Sequence, residues 1–238
     1  MKTRKDDAAR WEALARREAY FPVLSRDGDP AVESSGVASQ AFFQTGEEDV
    51  AALLGALATL FSRDVRLGSV LDFGCGAGRL TLPFARRAGR VVGCDIAPTV
   101  LAHARQNAER AGLRNVTFQA VDDVVASGEA RFDFICSLLV FQYIPPAEGY
   151  ALLQRLAALL NVGGVAALQL RFRGAIDVRR YARFLRSSGA ARGERPITQV
   201  YRYDERLVVE AVESGGASVV ARLASGTAAE GAVLVITR

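Results

Sequence analysis

A glycine-rich turn directly follows the short apolar run Ser69–Phe73. Its glycines occupy alternate positions, Gly74, Gly76 and Gly78, and a helix-like segment at 79–88 comes next. Glycines between a strand and a helix let the backbone turn sharply and let a ligand approach the main chain closely. In open α/β sheets, ligands bind beyond the carboxyl ends of the strands. The turn therefore predicts a strand–turn–helix unit with a cofactor site beside it.

Strand-like and helix-like segments alternate from residue 69 to residue 170. The predicted strands are Ser69–Phe73, Arg90–Asp95, Val116–Ala120, Phe132–Ser137 and 165–170. Helices are predicted at 79–88, from Pro98 to a stop before Gly112, and at 147–160, with a turn at Gly163 and Gly164 before the fifth strand. Short strands separated by helices of this kind predict a parallel, doubly wound sheet with right-handed crossovers.

The end of the chain follows a different pattern. A helix is predicted at 207–214, and a short glycine-containing stretch joins two strand-like runs, 218–223 and 232–237. Two strands joined without a helix pair naturally as an antiparallel hairpin. The predicted fold class is therefore α/β: a doubly wound, Rossmann-like, seven-stranded sheet of five parallel strands plus a carboxyl-terminal antiparallel hairpin.

Helical segments precede the sheet. A charged amphipathic helix is predicted at about 8–20, with Trp11, Leu14 and Ala15 on one side. After a loop at 25–36, the pattern Thr45-Gly46-Glu47-Glu48 predicts a capping box that starts a second amphipathic helix. We therefore divide the chain into an amino-terminal helical arm, 1–64, and a main domain, 65–238, which carries a lid insertion at about 172–203.

The composition is that of a globular protein. Half of the 238 residues are apolar, and the formal net charge of +4 does not demand a nucleic-acid partner. No signal-like apolar core and no membrane-spanning run occurs in the sequence, so we expect a cytoplasmic protein. Cys75, Cys94 and Cys136 lack metal-ligand spacing, and we expect small buried thiols.

Two common nucleotide-binding motifs do not fit the glycine turn. A nicotinamide fingerprint requires Gly-x-Gly-x-x-Gly, and from Gly74 its third glycine would fall on Arg79. A P-loop requires Lys followed by Ser or Thr, and the turn has no such pair after it. The pattern is instead Gly-x-Gly-x-Gly with Asp72 two positions before it.

This pattern resembles the first motif of the class I S-adenosylmethionine-dependent methyltransferases, which cradles the methionine part and the ribose. The resemblance extends from about residue 69 to residue 170, and more weakly to the end. It implies S-adenosyl-L-methionine as the cofactor, with S-adenosyl-L-homocysteine as the product. It also implies a cofactor site formed by Asp72, Gly74, Cys75, Gly76, Asp95, Ile96, Asp122, Asp123 and Ser137. No metal is expected, because no His/Asp/Glu cluster appears in the sequence.

Residues that follow the next strands extend the resemblance. Asp95 matches the family acid that binds both ribose hydroxyls, and a carboxylate suits a diol because it accepts both hydrogens with charge-assisted strength. Asp122, with Asp123 after it, matches the acid near the adenine amino group. Ser137 ends a strand that resembles the fourth motif, beside the reactive methyl. Alone, Asp95 would indicate only a surface acid, but its order between the turn and Asp122 favours the functional role.

The segment after the fourth strand departs from the family pattern. Related methyltransferases often have a Phe-Gln-His-Ile-Pro-like segment here, with the histidine near the acceptor, whereas this chain has Tyr143 in its place. A tyrosine phenol is a poor general base at neutral pH without help. We expect Tyr143 either to act as the catalytic residue by orienting the acceptor, or only to pack. His103, the only histidine, is expected on a helix surface without a functional role.

The lid insertion is rich in arginine. The segment from residue 171 to residue 202 has nine arginines and two acids, with Tyr181 and Tyr201 interleaved and Tyr203 directly after it. A basic, aromatic lid suits an anionic acceptor, such as a phosphorylated, nucleotide-linked or carboxylated molecule. Gln142, Arg171 and Tyr181 are the substrate-binding candidates. The alternative interpretation is a solvated amphipathic helix at 176–185.

The leading hypothesis is a small-molecule O-methyltransferase acting on a sugar or natural-product intermediate. A looser resemblance of residues 41–47 to methyltransferases of glycan and natural-product pathways favours that acceptor class. N- or C-methylation stays open, because cofactor motifs do not define the acceptor. A nucleic-acid methyltransferase also stays open, although no Asn/Asp-Pro-Pro-Tyr motif follows the fourth strand. A catalytically silent protein that binds S-adenosylmethionine is a further alternative. The sequence indicates no membrane partner and does not define an oligomeric state.

Overall fold

The structure, a computed structural model, describes residues 4–17, 36–126, 131–172, 200–224 and 231–238. Seven strands in this part of the chain form one sheet. They are β1 (Ser69–Phe73), β2 (Arg90–Asp95), β3 (Val116–Ala120), β4 (Phe132–Ser137), β5 (Leu160–Arg171), β6 (Ser218–Ala224) and β7 (Gly231–Thr237). The predicted fold class, with five parallel strands and a carboxyl-terminal antiparallel hairpin, is confirmed.

The strand order across the sheet is β3-β2-β1-β4-β5-β7-β6. Strands β1 to β5 are parallel, whereas β7 runs antiparallel to both β5 and β6. The chain moves outward from β1 to β3 and then returns to place β4 beside β1, with Asp72 opposite Cys136. At such a reversal the loops that leave the two central strands diverge and open a crevice. The glycine turn therefore lies at the switch point of the sheet.

Helices cover both faces of the sheet. Those described are α1 (Arg4–Arg17), α2 (Gly36–Phe61), α3 (Thr81–Ala85), α4 (Pro98–Arg110), α5 (Val121–Ala126), α6 (Pro146–Ala158) and α7 (Glu205–Ser214), with a short 3-10 helix at Phe141–Tyr143. One face packs on α5, α6 and α7 through side chains such as Leu153 and Val208. The other face packs on α2 and α3 through Leu57 and Phe84. Burial on both sides explains why the central strands are almost continuously apolar.

The second helix begins earlier than the sequence predicts. The capping-box prediction at Thr45 is wrong, because α2 already starts at Gly36. Inside the helix the Thr45 hydroxyl donates to the Phe42 carbonyl at 2.8 Å, a local bond that threonine commonly makes within helices. Gly46 serves a packing contact, since a Cβ there would lie 2.0 Å from the carbonyl oxygen of Arg79. This glycine lets α2 pack directly on the segment after β1.

Other element boundaries differ from the sequence prediction in detail. The helix predicted at 79–88 is shorter in the structure, where only α3 is helical. A short helix that was not predicted, α5, follows β3. The turn predicted at Gly163 and Gly164 lies within β5, which starts at Leu160. Gly163 has a φ of +73°, and its N–H donates to the Arg238 carbonyl at 2.6 Å. The last residue of the chain thus holds this irregular part of β5.

The insertion predicted at about 172–203 falls mostly outside the described residues. Its two ends are described, and they meet in an isolated parallel bridge between Phe172 and Tyr203. The helix predicted at 176–185, and Tyr181 within it, lie outside the described residues. The division of the chain into 1–64 and 65–238 stays a prediction.

The three cysteines, Cys75, Cys94 and Cys136, are buried free thiols, as the sequence predicts. Within the described ranges, His, Cys, Asp and Glu side chains form no group of three or more that could hold a metal ion. None of the described helices combines the length and the apolar character that a bilayer span requires.

Candidate functional site

The glycine turn after β1 has a backbone that requires glycine. Gly74, Gly76 and Gly78 have φ values of +77°, +54° and +95°, in a region that other residues rarely adopt. A Cβ on Gly74 would also lie 2.4 Å from a methyl carbon of Val140. The Gly74 N–H donates to the Cys94 carbonyl at 2.8 Å, which ties the turn to the end of β2. The turn is therefore fixed in place, in a conformation that glycine favours.

A cavity of about 180 Å³ lies against this turn. The turn and the end of β2 form part of its wall, and α1, the segment after β4 and the start of α6 form further parts. Its lining includes Trp11, Asp72, Cys75, Arg79, Asp95, Ile96, Val121, Leu139, Tyr143 and Glu148. Switch points of α/β sheets are common places for such a ligand cavity. It lies where the sequence predicts the cofactor.

Asp95 holds its carboxylate beside the glycine turn. Its Oδ2 accepts the Gly76 N–H at 3.0 Å, and its Oδ1 accepts the Ala97 N–H at 3.1 Å. Burial raises the pKa of Asp95, and these two N–H groups oppose the rise. Because a carboxylate has about four acceptor positions, each oxygen keeps capacity for a ligand. Asp95 is thus anchored in the cavity wall and can still accept hydrogen bonds.

Asp72 lies near the end of β1 and is buried beside the turn. The Thr81 hydroxyl donates to its Oδ2 at 2.5 Å. Burial raises the pKa of Asp72 to about 6, while the Thr81 hydrogen bond and the charge of Arg79 oppose the rise. Arg79 in turn pairs through Nη1 with Asp49 Oδ2 at 2.5 Å. Because Asp49 already balances Arg79, the lining acids leave the cavity with an excess of negative charge.

The acids predicted to contact adenine lie outside the cavity lining. Asp122 and Asp123 are exposed in the first turn of α5. The residue before them, Val121, is buried and lines the cavity. The adenine contact assigned to these two acids stays a prediction. Val121 was not predicted, because a valine at the start of a short helix gives no distinctive signal in the sequence.

Ser137 and Ile96 differ in their relation to the cavity. Ser137 is fully buried at the end of β4, and its hydroxyl donates to the Phe73 carbonyl at 2.9 Å. This bond joins β4 to β1 next to the switch point, but Ser137 does not line the cavity. Ile96 follows Asp95 directly and does line it. Of these two predicted cofactor residues, only Ile96 borders the space available to a ligand.

The segment after β4 contains a strained residue that the sequence does not predict. Leu139 lines the cavity with a φ of +63°, a region that non-glycine residues rarely adopt. Its N–H donates to the side-chain oxygen of Gln169 at 2.8 Å, and Gln169 is buried in β5. This buried amide stabilises the strained segment. A polar side chain within the apolar run 165–170 was the available sequence signal.

Tyr143 ends the 3-10 helix and lines the cavity in a half-buried position. Its ring meets the ring of Trp11 edge to face, with centroids 5.2 Å apart. Gln142, a predicted substrate contact, is buried outside the lining, and its carbonyl accepts the Tyr201 N–H at 2.7 Å. The structure therefore brings Tyr143, but not Gln142, to the cavity.

Arg171 is the last residue of β5 and is half-buried. Its Nε is buried and has no hydrogen-bond partner in the structure as described. Arg171 does not line the cavity, and Tyr181, the other basic-lid candidate, is outside the described residues. His103 lies on α4 in a partly exposed position away from the cavity lining. Arg171 directly precedes the insertion, and its Nε is thus a buried donor with unused hydrogen-bonding capacity.

The first helix is part of the site. The sequence predicts that Trp11, Leu14 and Ala15 share one side of α1, and all three line the cavity. Glu12 accepts hydrogen bonds from the hydroxyl and, at 3.0 Å, from the N–H of Thr99 at the start of α4. These bonds lower the pKa of Glu12. The helix is therefore held against the cavity by a polar contact as well as by apolar packing.

Residues 70–164 match the family model described as "Methyltransferase domain". The match begins in β1 and ends within β5. It therefore contains the glycine turn, Asp95 and Tyr143, but neither the first two helices nor the carboxyl-terminal hairpin.

Two relatives share part of this region. A 23S rRNA (uracil(747)-C(5))-methyltransferase of Yersinia enterocolitica is 41% identical over 113 residues, which cover 46% of this chain and 30% of that protein. A ubiquinone biosynthesis O-methyltransferase of Cereibacter sphaeroides is 40% identical over 100 residues, which cover 40% of this chain and 38% of that protein. The chain thus spans less than half the length of either relative.

The chain also resembles solved structures along its whole length, among them the following one. The crystal structure of a magnesium protoporphyrin IX methyltransferase from Synechocystis PCC 6803, with bound S-adenosylmethionine, superposes with a TM-score of 0.64. The superposition covers 100% of both chains at 20% sequence identity. At this identity the similarity shows a shared fold.

Proposed function

We propose that this chain, which contains a methyltransferase domain with the class I fold, binds S-adenosylmethionine in the cavity and methylates a small-molecule acceptor. The observation that carries the proposal is the anchoring of Asp95 to the glycine turn through the Gly76 N–H. Both groups line the same cavity as Tyr143. This arrangement supports a ribose-binding role for Asp95 within reach of a second, reacting molecule.

The charges around the cavity support this cofactor. S-adenosylmethionine carries a sulfonium and an ammonium group, which outweigh its single carboxylate. Asp72, Asp95 and Glu148 line the cavity, and the lining Arg79 is already paired with Asp49. Opposite charges attract more strongly in a partly buried site than in water. The cavity therefore favours a ligand with net positive charge.

In the proposed arrangement each part of the cofactor has a matching surface. Asp95 accepts the two ribose hydroxyls through the acceptor positions that the backbone leaves unused. The methionine part lies along the main chain of the glycine turn, next to Asp72 and Cys75. The adenine packs between Ile96 and Val121, with the exposed acids of α5 near its amino group.

The bound cofactor would supply an already activated methyl group, so the protein mainly positions the acceptor. In O-methylation the acceptor oxygen bonds to the methyl carbon, the carbon–sulfur bond breaks, and the acceptor hydroxyl loses its proton. We assign Tyr143 the role of orienting the acceptor oxygen through its own hydroxyl. Glu148 lines the cavity from the first turn of α6, and its carboxylate is the candidate acceptor for the proton.

The acceptor class is proposed to be a sugar or natural-product intermediate with an anionic group. The buried, unpartnered Nε of Arg171 and the arginine-rich insertion support an anion, because a guanidinium matches carboxylate and phosphate geometry. The O-methyltransferase relative supports oxygen as the methylated atom. A panel of hydroxylated acceptors, with and without a carboxylate, tests this through formation of S-adenosylhomocysteine. Turnover restricted to amine or carbon acceptors would replace O-methylation by N- or C-methylation.

A nucleic-acid acceptor is the second candidate, because the Yersinia relative is an rRNA methyltransferase. It predicts RNA binding that weakens steeply as salt rises, since bound cationic side chains release counterions from phosphates. A fluorescence titration with structured RNA at low salt tests it, and absence of binding there removes this candidate. Cofactor binding without turnover on any acceptor would instead support a catalytically silent protein.

A further inference from the structure

Tyr203 lies where the insertion returns to the sheet. Its N–H donates to the Arg171 carbonyl at 2.7 Å, next to the bridge with Phe172. Its side chain is fully buried in the core that contains α6 and α7. Tyr203 thus connects the end of β5 with the packing beneath the 3-10 helix.

The Tyr203 hydroxyl lies against two carbonyl groups of the segment after β4. Its oxygen is 3.0 Å from the carbonyl oxygen of Phe141 and 2.9 Å from that of Ile144. A phenol has one proton, which it shares between these two acceptors. The N–H of Tyr201 donates to the carbonyl of Gln142, one of the two residues between them, at 2.7 Å. Residues 201–203 therefore hold three of the four carbonyls of the 141–144 turn.

Helix α6 packs closely against this hydroxyl at Gly149. A Cβ on Gly149 would lie 2.2 Å from the Tyr203 hydroxyl oxygen, so a larger residue would displace the tyrosine. The Tyr203 ring meets Tyr150 edge to face at 5.6 Å and Phe141 at 6.2 Å. Burial raises the pKa of Tyr203, which keeps its hydroxyl protonated as a donor. The ring and its hydroxyl are therefore confined on several sides.

We propose that Tyr203 is a positioning residue that holds the 141–144 turn, and with it the ring of Tyr143, against the cofactor cavity. Tyr203 does not line the cavity itself, whereas Tyr143 and Ile144 do. Its effect therefore passes through the backbone of the turn. The inference rests on the proposed role of Tyr143 in methyl transfer. A tyrosine that only filled the core would contribute to stability and leave the turn unchanged.

The test is the variant Tyr203→Phe, which removes the hydroxyl and keeps the ring. Trp11 is the only tryptophan and packs on Tyr143, so its fluorescence reports the position of the turn. We expect Trp11 emission to shift to longer wavelength as the contact loosens. We also expect kcat to fall about tenfold while KM for the cofactor changes less than about twofold, since misplaced groups near the reacting atoms mainly slow turnover.

Tyr150→Phe is the matched control. The Tyr150 hydroxyl belongs to the same buried cluster, but it accepts the Asp204 N–H at 3.0 Å and makes no bond to the turn. We expect this variant to keep the kcat and the Trp11 emission of the unmodified protein, even if its thermal stability falls. Equal effects of the two variants on kcat and emission, or no effect of Tyr203→Phe on either, would overturn the inference.

Gly149→Ala is a second, independent variant, because its new methyl group pushes the Tyr203 hydroxyl away from the turn. We expect the same emission shift and the same fall in kcat, with helix content unchanged by circular dichroism. The fluorescence measurement needs no acceptor. It therefore tests the positioning role of Tyr203 separately from the proposed methyl transfer. If the emission shifts in the variants but the unmodified protein transfers no methyl group, the proposed function is contradicted. Methyl transfer with unchanged emission in both variants contradicts the positioning role alone.

Discussion

The ring of Trp11 meets the ring of Tyr143 edge to face, with centroids 5.2 Å apart and planes inclined by 67°. This contact joins α1 to the turn after β4, and both rings line the cavity. A second contact, from the Thr99 N–H to Glu12 at 3.0 Å, joins the same helix to α4. The first helix is therefore anchored at two places beside the cavity, and we expect it to slow the release of a bound ligand.

The variant Trp11→Ala should release the cofactor faster. An aromatic pair contributes about 0.5 to 1.5 kcal/mol beyond its buried area, so we expect dissociation to accelerate by about two- to tenfold. Trp11→Phe is the control, because it keeps an aromatic edge contact with Tyr143 and should change the rate much less. Stopped-flow measurement of cofactor dissociation distinguishes the variants. The same rate in Trp11→Ala and in the unmodified protein would show that α1 does not retain the ligand.

The variant Asp72→Asn should be more stable than the unmodified protein above pH 6. Burial raises the pKa of Asp72 from 3.8 to about 6, so the folded state favours its protonated form. Its contribution to stability is full below about pH 4 and is lost as pH rises through 6. Asparagine stays neutral, so the free energy of unfolding should rise on the order of 2 to 3 kcal/mol at about pH 8 and change little near pH 4. Urea unfolding at the two pH values measures this.

The variant Asp133→Asn is the comparison, because the pKa of Asp133 is shifted in the opposite direction to that of Asp72. Burial raises the pKa of Asp133, but hydrogen bonds from Arg66 and Asn161 outweigh burial and lower it to about 2. Its contribution to stability is present above about pH 4 and is lost as pH falls towards 2. Asp133→Asn should therefore be less stable at neutral pH. If both variants lost stability at neutral pH, the assignment of Asp72 as a costly buried charge would be incorrect.

The variant Tyr143→Phe tests how the acceptor is oriented. If the hydroxyl holds the acceptor oxygen, kcat should fall by about tenfold or more, because such groups act mainly through geometry. Affinity for the cofactor should stay unchanged, since the ring and its contact with Trp11 remain. Steady-state kinetics with a cofactor titration measures both. An unchanged kcat would make Tyr143 a packing residue.

The variant Glu148→Gln tests the proton acceptor. The glutamine amide has the size of the carboxylate but cannot take up the proton of the substrate hydroxyl. We therefore expect kcat for a hydroxylated substrate to fall about a hundredfold. An acceptor supplied as a phenolate at high pH should be affected much less, because it has no proton to lose. Equal losses for both kinds of acceptor would assign Glu148 to binding rather than to proton transfer.

The sheet could be predicted because its information is local. Each parallel strand is a short apolar run with turn residues at its ends, and the spacing between Ser69–Phe73 and Arg90–Asp95 leaves room for one crossover. The start of α2 could not be predicted, because Thr45 and Glu48 have capping-box spacing inside a helix as well as at its start. Gly46 fits the capping-box pattern for a related reason. Its actual role is a close contact with Arg79, which lies in a distant part of the chain.

The site was predicted less completely than the sheet. The order of the motifs indicated Asp95, which the structure anchors in the cavity, although its ligand contact stays a prediction. The roles of Gln169 and Tyr203 depend on hydrogen bonds to Leu139 and to Phe141, each about 30 or more residues away. No local pattern encodes such bonds. A single sequence therefore predicts the turn that we propose to bind the cofactor more readily than it predicts the contacts that hold the segment after β4.

Calorimetric titration of S-adenosylmethionine into the unmodified protein, Asp95→Asn and Asp64→Asn tests the central proposal most directly. Asp95→Asn loses the charge, and its single amide oxygen can accept only one of the two backbone N–H groups that Asp95 accepts, so we expect its affinity to fall about ten- to a hundredfold. Asp64 is an exposed acid before β1, so Asp64→Asn should bind as the unmodified protein does. Absence of binding to the unmodified protein at millimolar ligand, or equal affinity in Asp95→Asn, would contradict the account.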